Sequence, residues 1–349
     1  MSMSIILRNI SRVFNSQHYA VKNINLEISS GEIVCFLGPS GCGKTTTLRI
    51  IAGFDRPSSG SVYLLGREVA GNAWVPPEKR KIGMVFQDYA LFPHLNVIEN
   101  IAFGLNKQTP ETRQRVKFLL ELTGLEELVK RYPHQISGGQ QQRVSLARAL
   151  AHEPDILLLD EPFSNLDTVL RQSMREEIKR IINLTGLTSI FVTHDIQDAL
   201  AVADRIIVMK EGEIQQVGKP WDIYYRPENK FVAAFLNRFA LINGRISGKD
   251  HIYTDFGIIK VKHFTSENIS NSVHLGIPPE AVRIDKGGNY SGRVRNMCYI
   301  GDKWEISIET EGASLNILKV HCDTNVNLPS IGERLVYDLD SSKILAFFS

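Results

Sequence analysis

The 349-residue chain reads as an α/β unit followed by a smaller all-β unit. Three observations predict this. Up to about residue 215, short apolar strands alternate with amphipathic helical stretches, the pattern of a mostly parallel sheet covered by helices. Residues 38–45 read Gly-Pro-Ser-Gly-Cys-Gly-Lys-Thr, a complete G-x-x-x-x-G-K-[ST] run between a strand-like and a helix-like stretch. From about Leu241, period-two alternation broken by Gly, Asn, Asp and Ser replaces helical spacing.

Taken in order, Ser4–Ile28 alternates as two strands, an antiparallel addition to the parallel sheet. Glu32–Leu37 is an apolar strand, and Thr45–Ala52 a helix after the glycine-rich loop. Ile82–Phe86, Ile156–Asp160, Ser189–Thr193 and Arg205–Met209 are further short apolar strands. Pro110–Leu120, Gln140–Ala151, Leu170–Leu184 and Ile196–Ala203 carry helical periodicity. Pro220, Pro227 and the aromatic-rich stretch Trp221–Phe235 mark a transition. Beyond it, Ser291–Val294 and Trp304–Thr310 are short alternating strands.

Composition narrows the function classes. A hydrophobic fraction of 43% and a charged fraction of 22% are ordinary for a soluble globular chain. The net charge of +2 gives no footprint for nucleic acid and no polybasic anchor. No apolar run approaches the length of a bilayer span, and Met1–Ile10 lacks a secretion-signal core. Cys35, Cys42, Cys298 and Cys322 show neither C-x-x-C nor zinc spacing, which suits reduced thiols in a cytosol; a regulatory Cys42 is the alternative. Nine scattered histidines add no ligand cluster, so no iron-type site is expected.

The glycine-rich run has a specific physical use. Glycines let successive backbone N–H groups turn inward on an anion, and the following helix adds its positive end. Lys44 would reach the terminal phosphates of a nucleoside triphosphate, and the Thr45 hydroxyl would ligate Mg²⁺. Residues 155–161, Asp-Ile-Leu-Leu-Leu-Asp-Glu, form a buried strand ending in two acids. Asp160 suits Mg²⁺, and Glu161 could polarise the water attacking the γ-phosphate. A second anion-binding helix start follows from Ser137, Gly138, Gly139 and Gln140 in Ile-Ser-Gly-Gly-Gln-Gln-Gln-Arg at 136–143. Two such starts in one chain mean either two sites or one shared site.

The 136–143 segment resembles the signature of ATP-binding cassette ATPases, with Ile in the first position. The other landmarks follow in the family's order. Gln87 in Val-Phe-Gln-Asp resembles the glutamine that senses Mg²⁺ and the attacking water. Ser164-Asn-Leu-Asp167 resembles the loop that contacts the partner subunit, with Asn165 where alanine is commoner. His194 in Val-Thr-His-Asp resembles the histidine that contacts the γ-phosphate. Phe14 resembles the aromatic that stacks on adenine, with Tyr19 a weaker candidate.

The resemblance implies a P-loop NTPase cassette over residues 1–240: a mostly parallel sheet, an antiparallel β addition and a helical subdomain at about 88–150. It implies ATP and Mg²⁺ as cofactors and a head-to-tail homodimer that shares each nucleotide. Nucleotide-binding residues would be Phe14, Gly38, Pro39, Ser40, Gly41, Cys42, Gly43, Lys44, Thr45 and Thr46, with Ser137, Gly138, Gly139 and Gln140 serving the partner's nucleotide. Thr45, Gln87 and Asp160 would hold the metal; Glu161, His194, Gln87 and Lys44 would carry catalysis.

The tail, with Leu275-Gly-Ile-Pro-Pro-Glu280, Ser291–Val294 and Tyr299–Gly301, resembles the oligonucleotide-fold-like regulatory domain of importer ATPases, here 241–349. Pro278 stands where arginine is usual, and Tyr224–Phe235 resembles the family's linker. The chain is therefore expected to be a peripheral ATPase on the cytoplasmic face of the inner membrane. Integral permease subunits would be its partners, and a periplasmic or surface solute-binding protein an indirect one. Docking is expected near Gln87–His94, through Tyr89, Leu91, Phe92 and Pro93, with Leu91 and Phe92 as core residues the alternative. The wording of Ile51–Phe54, Lys81–Gln87 and Tyr89–His94 favours ferric iron as solute. Polyamine, phosphonate, sulfate and sugar are the alternatives. From other classes, a soluble cassette protein on ribosomes or nucleic acid, an RNA-binding barrel and an exporter compete.

Overall fold

The computed structural model describes residues 3–14, 18–105, 109–248, 250–261, 263–264, 271–312, 314, 316–323 and 328–348. The chain divides into two compact units, Met1–Ile223 and Tyr224–Ser349.

The first unit opens with β1 (Met3–Phe14) and β2 (His18–Ser29), then β3 (Ile33–Leu37) and α1 (Lys44–Ala52). Next come β4 (Ser59–Leu64), β5 (Arg67–Ala70), β6 (Ile82–Val85), α2 (Val97–Ile101), α3 (Pro110–Thr123) and α4 (Gly138–Ala151). It closes with β7 (Ile156–Asp160), α5 (Thr168–Thr185), β8 (Thr188–Thr193), α6 (Ile196–Val202), β9 (Arg205–Lys210) and β10 (Glu213–Gly218). The main sheet has the order β10-β9-β3-β8-β7-β6, parallel except for the antiparallel edge strand β10. An antiparallel sheet, β2-β1-β4-β5, stands beside it. Every residue of β3 and β8 is buried, as strands covered on both faces require. One core joins the two sheets: Ile5, Leu7 and Ile24 share it with Phe36, Leu48, Ile51, Leu158 and Val192. Each such side chain contributes roughly 1.5–3 kcal/mol of burial.

Local chemistry sets the helix ends. Thr109 caps α3 ahead of Pro110, Asp167 caps α5, and Asp195 caps α6. Gly53 closes α1 with φ +92°, a left-handed value open to glycine at little cost. The helical insertion expected at about 88–150 corresponds to α2, α3 and α4.

In the second unit, two sheets of six and five strands share a core of Ile242, Leu275, Ile277, Val294, Ile306, Ile308, Val320, Tyr337 and Ala346. The division falls earlier than the boundary near 240 expected from the sequence. Arg238 is the physical reason: its guanidinium lies 4.5 Å from the Tyr224 ring and 4.4 Å from that of Tyr225, and it donates to Glu280 at 2.7 Å.

Candidate functional site

Four parallel strands end together. Leu37 of β3 pairs with Thr193 of β8, Val192 of β8 with Asp160 of β7, and Leu159 of β7 with Val85 of β6. The residues just past these ends are Gly38, His194, Glu161 and, two places beyond Val85, Gln87. The carboxyl ends of parallel strands are where open α/β sheets place ligands.

The loop leaving β3 is shaped by its glycines. A Cβ at Gly38 would collide with the Met209 carbonyl, and one at Gly43 with the Ala20 carbonyl. Gly43 caps α1 at φ +104°. The Ala20 contact brings the β1–β2 pair against the loop, and the strand register sets Phe14 near its turn end. Phe14 is 41% exposed, with the Arg12 guanidinium 4.6 Å from its ring centre. Pro39, Ser40 and Thr45 are exposed, and Thr46 is half-buried.

Lys44 is only 5% exposed. Its Nζ donates to the carbonyls of Gly38 at 2.8 Å and Pro39 at 2.9 Å, and no carboxylate among the described residues pairs with it. A buried ammonium held by loop carbonyls with no counter-charge fits a phosphate. Cys42 lies 3.7 Å from that Nζ; burial pushes its thiol up, which argues against a reactive thiolate. All four cysteines are free.

The Thr45 hydroxyl donates to Asp160 Oδ1 at 3.0 Å. Burial pushes the Asp160 carboxyl up, and the Thr45 bond pulls it back. A hydroxyl and a carboxylate oxygen side by side are hard donors of the class that suits Mg²⁺. Among the described residues, no group of three or more His, Cys, Asp or Glu could hold a metal ion.

Glu161 turns out of β7 with φ +44°, its N–H bonded to the Val192 carbonyl at 3.0 Å. His194 Nδ1 lies 3.1 Å from Glu161 Oε2. An ionised carboxylate only accepts, so Nδ1 carries the hydrogen in this contact. Behind His194, Thr193 Oγ1 donates to buried Asp198 at 3.0 Å, Arg175 Nε donates to Asp198 at 2.6 Å, and Arg171 reaches Asp195 at 3.0 Å. This framework holds the strand end that carries His194. No motif spacing announces it; only Asp195, as a cap, left a sequence trace.

Ser137 caps α4 reciprocally with Gln140: Ser137 N–H donates to Gln140 Oε1 at 2.9 Å, and Gln140 N–H to Ser137 Oγ at 3.4 Å. A Cβ on Gly138 would lie 3.7 Å from the Tyr89 hydroxyl and from Leu166, and one on Gly139 would press on Leu170. Within one chain this helix start therefore sits with Tyr89 and the 165–170 segment, and no phosphate-loop atom is among these neighbours.

Tyr89 corrects one expectation. It is 7% exposed, not an apolar contact for a partner, because its carbonyl is pinned by Ser145 at 3.0 Å and Arg148 at 2.9 Å. Phe92 instead lines a groove of about 710 Å³ with Met84, Phe86, Ala90, Phe103 and His152. Among the described residues no helix is long and apolar enough to cross a membrane.

The ABC transporter family model matches residues 21–164, and the TOBE domain model matches residues 275–347. The chain is 40% identical to the Fe(3+) ions import ATP-binding protein FbpC of Escherichia coli O157:H7, over 95% of this chain and 94% of that protein. It is 45% identical to the spermidine/putrescine import ATP-binding protein PotA of Spiroplasma citri, over 87% of each. A solved dimeric ATP-binding cassette in a post-hydrolysis state with ADP and Pi superposes with a TM-score of 0.54 at 36% identity, covering 62% of this chain and 98% of the other.

Proposed function

The chain belongs to the ABC transporter family as an import ATP-binding subunit, and from that premise we propose that two copies hydrolyse ATP to drive Fe³⁺ uptake through a separate membrane permease. One observation carries the hydrolysis: the acid pair ending β7 stands with Asp160 3.0 Å from the Thr45 hydroxyl and Glu161 3.1 Å from His194, beside buried Lys44.

In this reading Lys44 and the loop 38–45 bind the β- and γ-phosphates, and Phe14 stacks on adenine. Thr45, Gln87 and Asp160 would hold Mg²⁺, which when bound would neutralise phosphate charge. Glu161 takes the proton of the attacking water, and His194 orients Glu161 through Nδ1–H; with the ring protonated, Nε2–H donates to the γ-phosphate. Ser137, Gly138, Gly139 and Gln140 present their helix end to the nucleotide of the second copy. ATP bridging both copies favours the closed dimer, and loss of the γ-phosphate reopens it. The groove beside Phe86 and Phe92 receives a cytoplasmic helix of the permease, which places the chain on the cytoplasmic face of the membrane.

Two measurements test this. Lys44→Ala removes the uncompensated ammonium and should weaken ATP binding by about tenfold or more, equivalent to about 1.4 kcal/mol; unchanged affinity in a nucleotide titration would reject its role. Ser137→Arg should leave binding to the chain's own loop within about twofold yet cut turnover roughly 100-fold, because it blocks the neighbour's nucleotide. Undiminished hydrolysis in the pure variant would contradict the shared site. For the solute, the wording of Ile51–Phe54 and Lys81–Gln87 favours iron, while 45% identity to a spermidine/putrescine protein supports a polyamine as the second reading. Uptake of radiolabelled iron against radiolabelled putrescine, in cells with and without this chain, separates them.

A further inference from the structure

The segment after β6 is held in an unusual conformation from two directions. Tyr89 and Ala90 are consecutive non-glycine residues with φ +62° and +46°. On one side α4 grips them: Ser145 and Arg148 donate to the Tyr89 carbonyl, and Arg148 Nη1 donates to the Ala90 carbonyl at 2.7 Å. On the other side the exposed residue Asn165 donates through Nδ2 to the carbonyl of Gln87 at 2.8 Å. An alanine at 165 has no group to make this bond.

We propose that Asn165 is a positioning residue for Gln87. It ties the turn that follows the acid pair, residues 161–165, to the loop carrying Gln87, so the Gln87 side chain is presented beside Asp160 and Glu161. The turn itself is firm, since Ser164 donates through both N–H and Oγ to the Glu161 carbonyl at 3.2 and 3.0 Å. A displacement of Glu161 is therefore passed to Gln87 through one side-chain bond. Arg148 anchors the far side of the loop and stacks 5.4 Å from the Phe92 ring in the groove, so the loop has one fixed end and one tethered end. The inference rests on the ATP-hydrolysis reading above, with Gln87 at the reacting phosphate.

A double-mutant cycle on the full chain tests it, comparing Asn165→Ala, Gln87→Ala and the pair with the parent in Mg²⁺-ATP turnover. Asn165→Ala should lower kcat about tenfold with KM for ATP within about twofold. Added to Gln87→Ala it should cost nothing further, because the residue acts through Gln87. An exposed site should leave the unfolding midpoint unmoved. A kcat for Asn165→Ala within about twofold of the parent, or losses that multiply in the pair, would overturn the proposal. Absence of hydrolysis in the parent would instead reject the underlying reading. Amide hydrogen exchange over residues 86–90 then still judges the tie: Asn165→Ala must speed it several-fold, and unchanged exchange would sink it.

Discussion

Glu161→Gln is expected to lower steady-state ATP turnover by roughly two to four orders of magnitude while ATP affinity stays within about twofold. The substitution keeps volume and an acceptor oxygen, so the 3.1 Å contact with His194 Nδ1 survives. What it removes is the carboxylate assigned to take a proton from water, since an amide oxygen is far too weak a base to replace it. The backbone there adopts φ +44° whichever side chain it carries, and the Glu161 N–H remains bonded to Val192, so the loop should not rearrange. In the proposed reading nucleotide binding depends on the neighbouring Lys44 and loop 38–45, which the change does not touch. Near-parental hydrolysis in a coupled phosphate-release assay would remove Glu161 from the chemistry.

Arg80→Met is expected to destabilise the first unit by about 3–5 kcal/mol, seen as a lower denaturant midpoint in a two-transition unfolding curve. Arg80 is 5% exposed. Its guanidinium donates to the carbonyls of Val75 at 2.7 Å, Ile50 and Ile51 at 2.8 Å each, and Val69 at 3.0 Å, while lying 4.7 Å from the Trp74 ring. Burial pulls it down to about 10, still charged at neutral pH. Two of those carbonyls close the last turn of α1, where the helix dipole favours a cation. A Cβ on Gly53 would strike the same guanidinium, so the glycine and the arginine depend on each other. Methionine fills similar volume but takes the donor from the Ile51 and Val75 carbonyls, while Ile50 keeps the Gly53 N–H at 3.2 Å and Val69 keeps the Val75 N–H at 2.9 Å; each acceptor left unpaired costs about 1–3 kcal/mol. A midpoint unchanged from the parent would show that those carbonyls find other partners.

The contrast between these residues marks how far one-dimensional reading reaches. The place of Glu161 just past a buried strand was legible because an apolar run ending in two acids sits downstream of a glycine-rich loop. The burial of β7 follows from local pattern, while its end, Asp160 and Glu161, is half-buried. The helix start at Ser137 was likewise visible, and β3, β8 and β9 as short apolar strands. Arg80 carried no signal: its partners lie 5, 11, 29 and 30 residues away, at no repeating interval. Asp198 with Arg175 escaped notice for the same reason. Tyr89 was misplaced because an aromatic among apolar neighbours looks alike on a groove or in a core until the carbonyl bonds from Ser145 and Arg148 turn it inward.

The sequence by itself determined many of the strands and helices, though not β4, β5, β10 or α2, where the glycine-rich loop and acid pair fall, and which family they belong to. Those properties reside in residue periodicity, turn chemistry and motif spacing, all carried along the chain. Tertiary structure alone decided that Lys44 is buried without a counter-ion, that Asn165 grips the loop of Gln87, and that Arg80 holds the end of α1. Such contacts join residues far apart in the chain, and hydrogen bonds of that kind exist only once packing has brought donor and acceptor within reach.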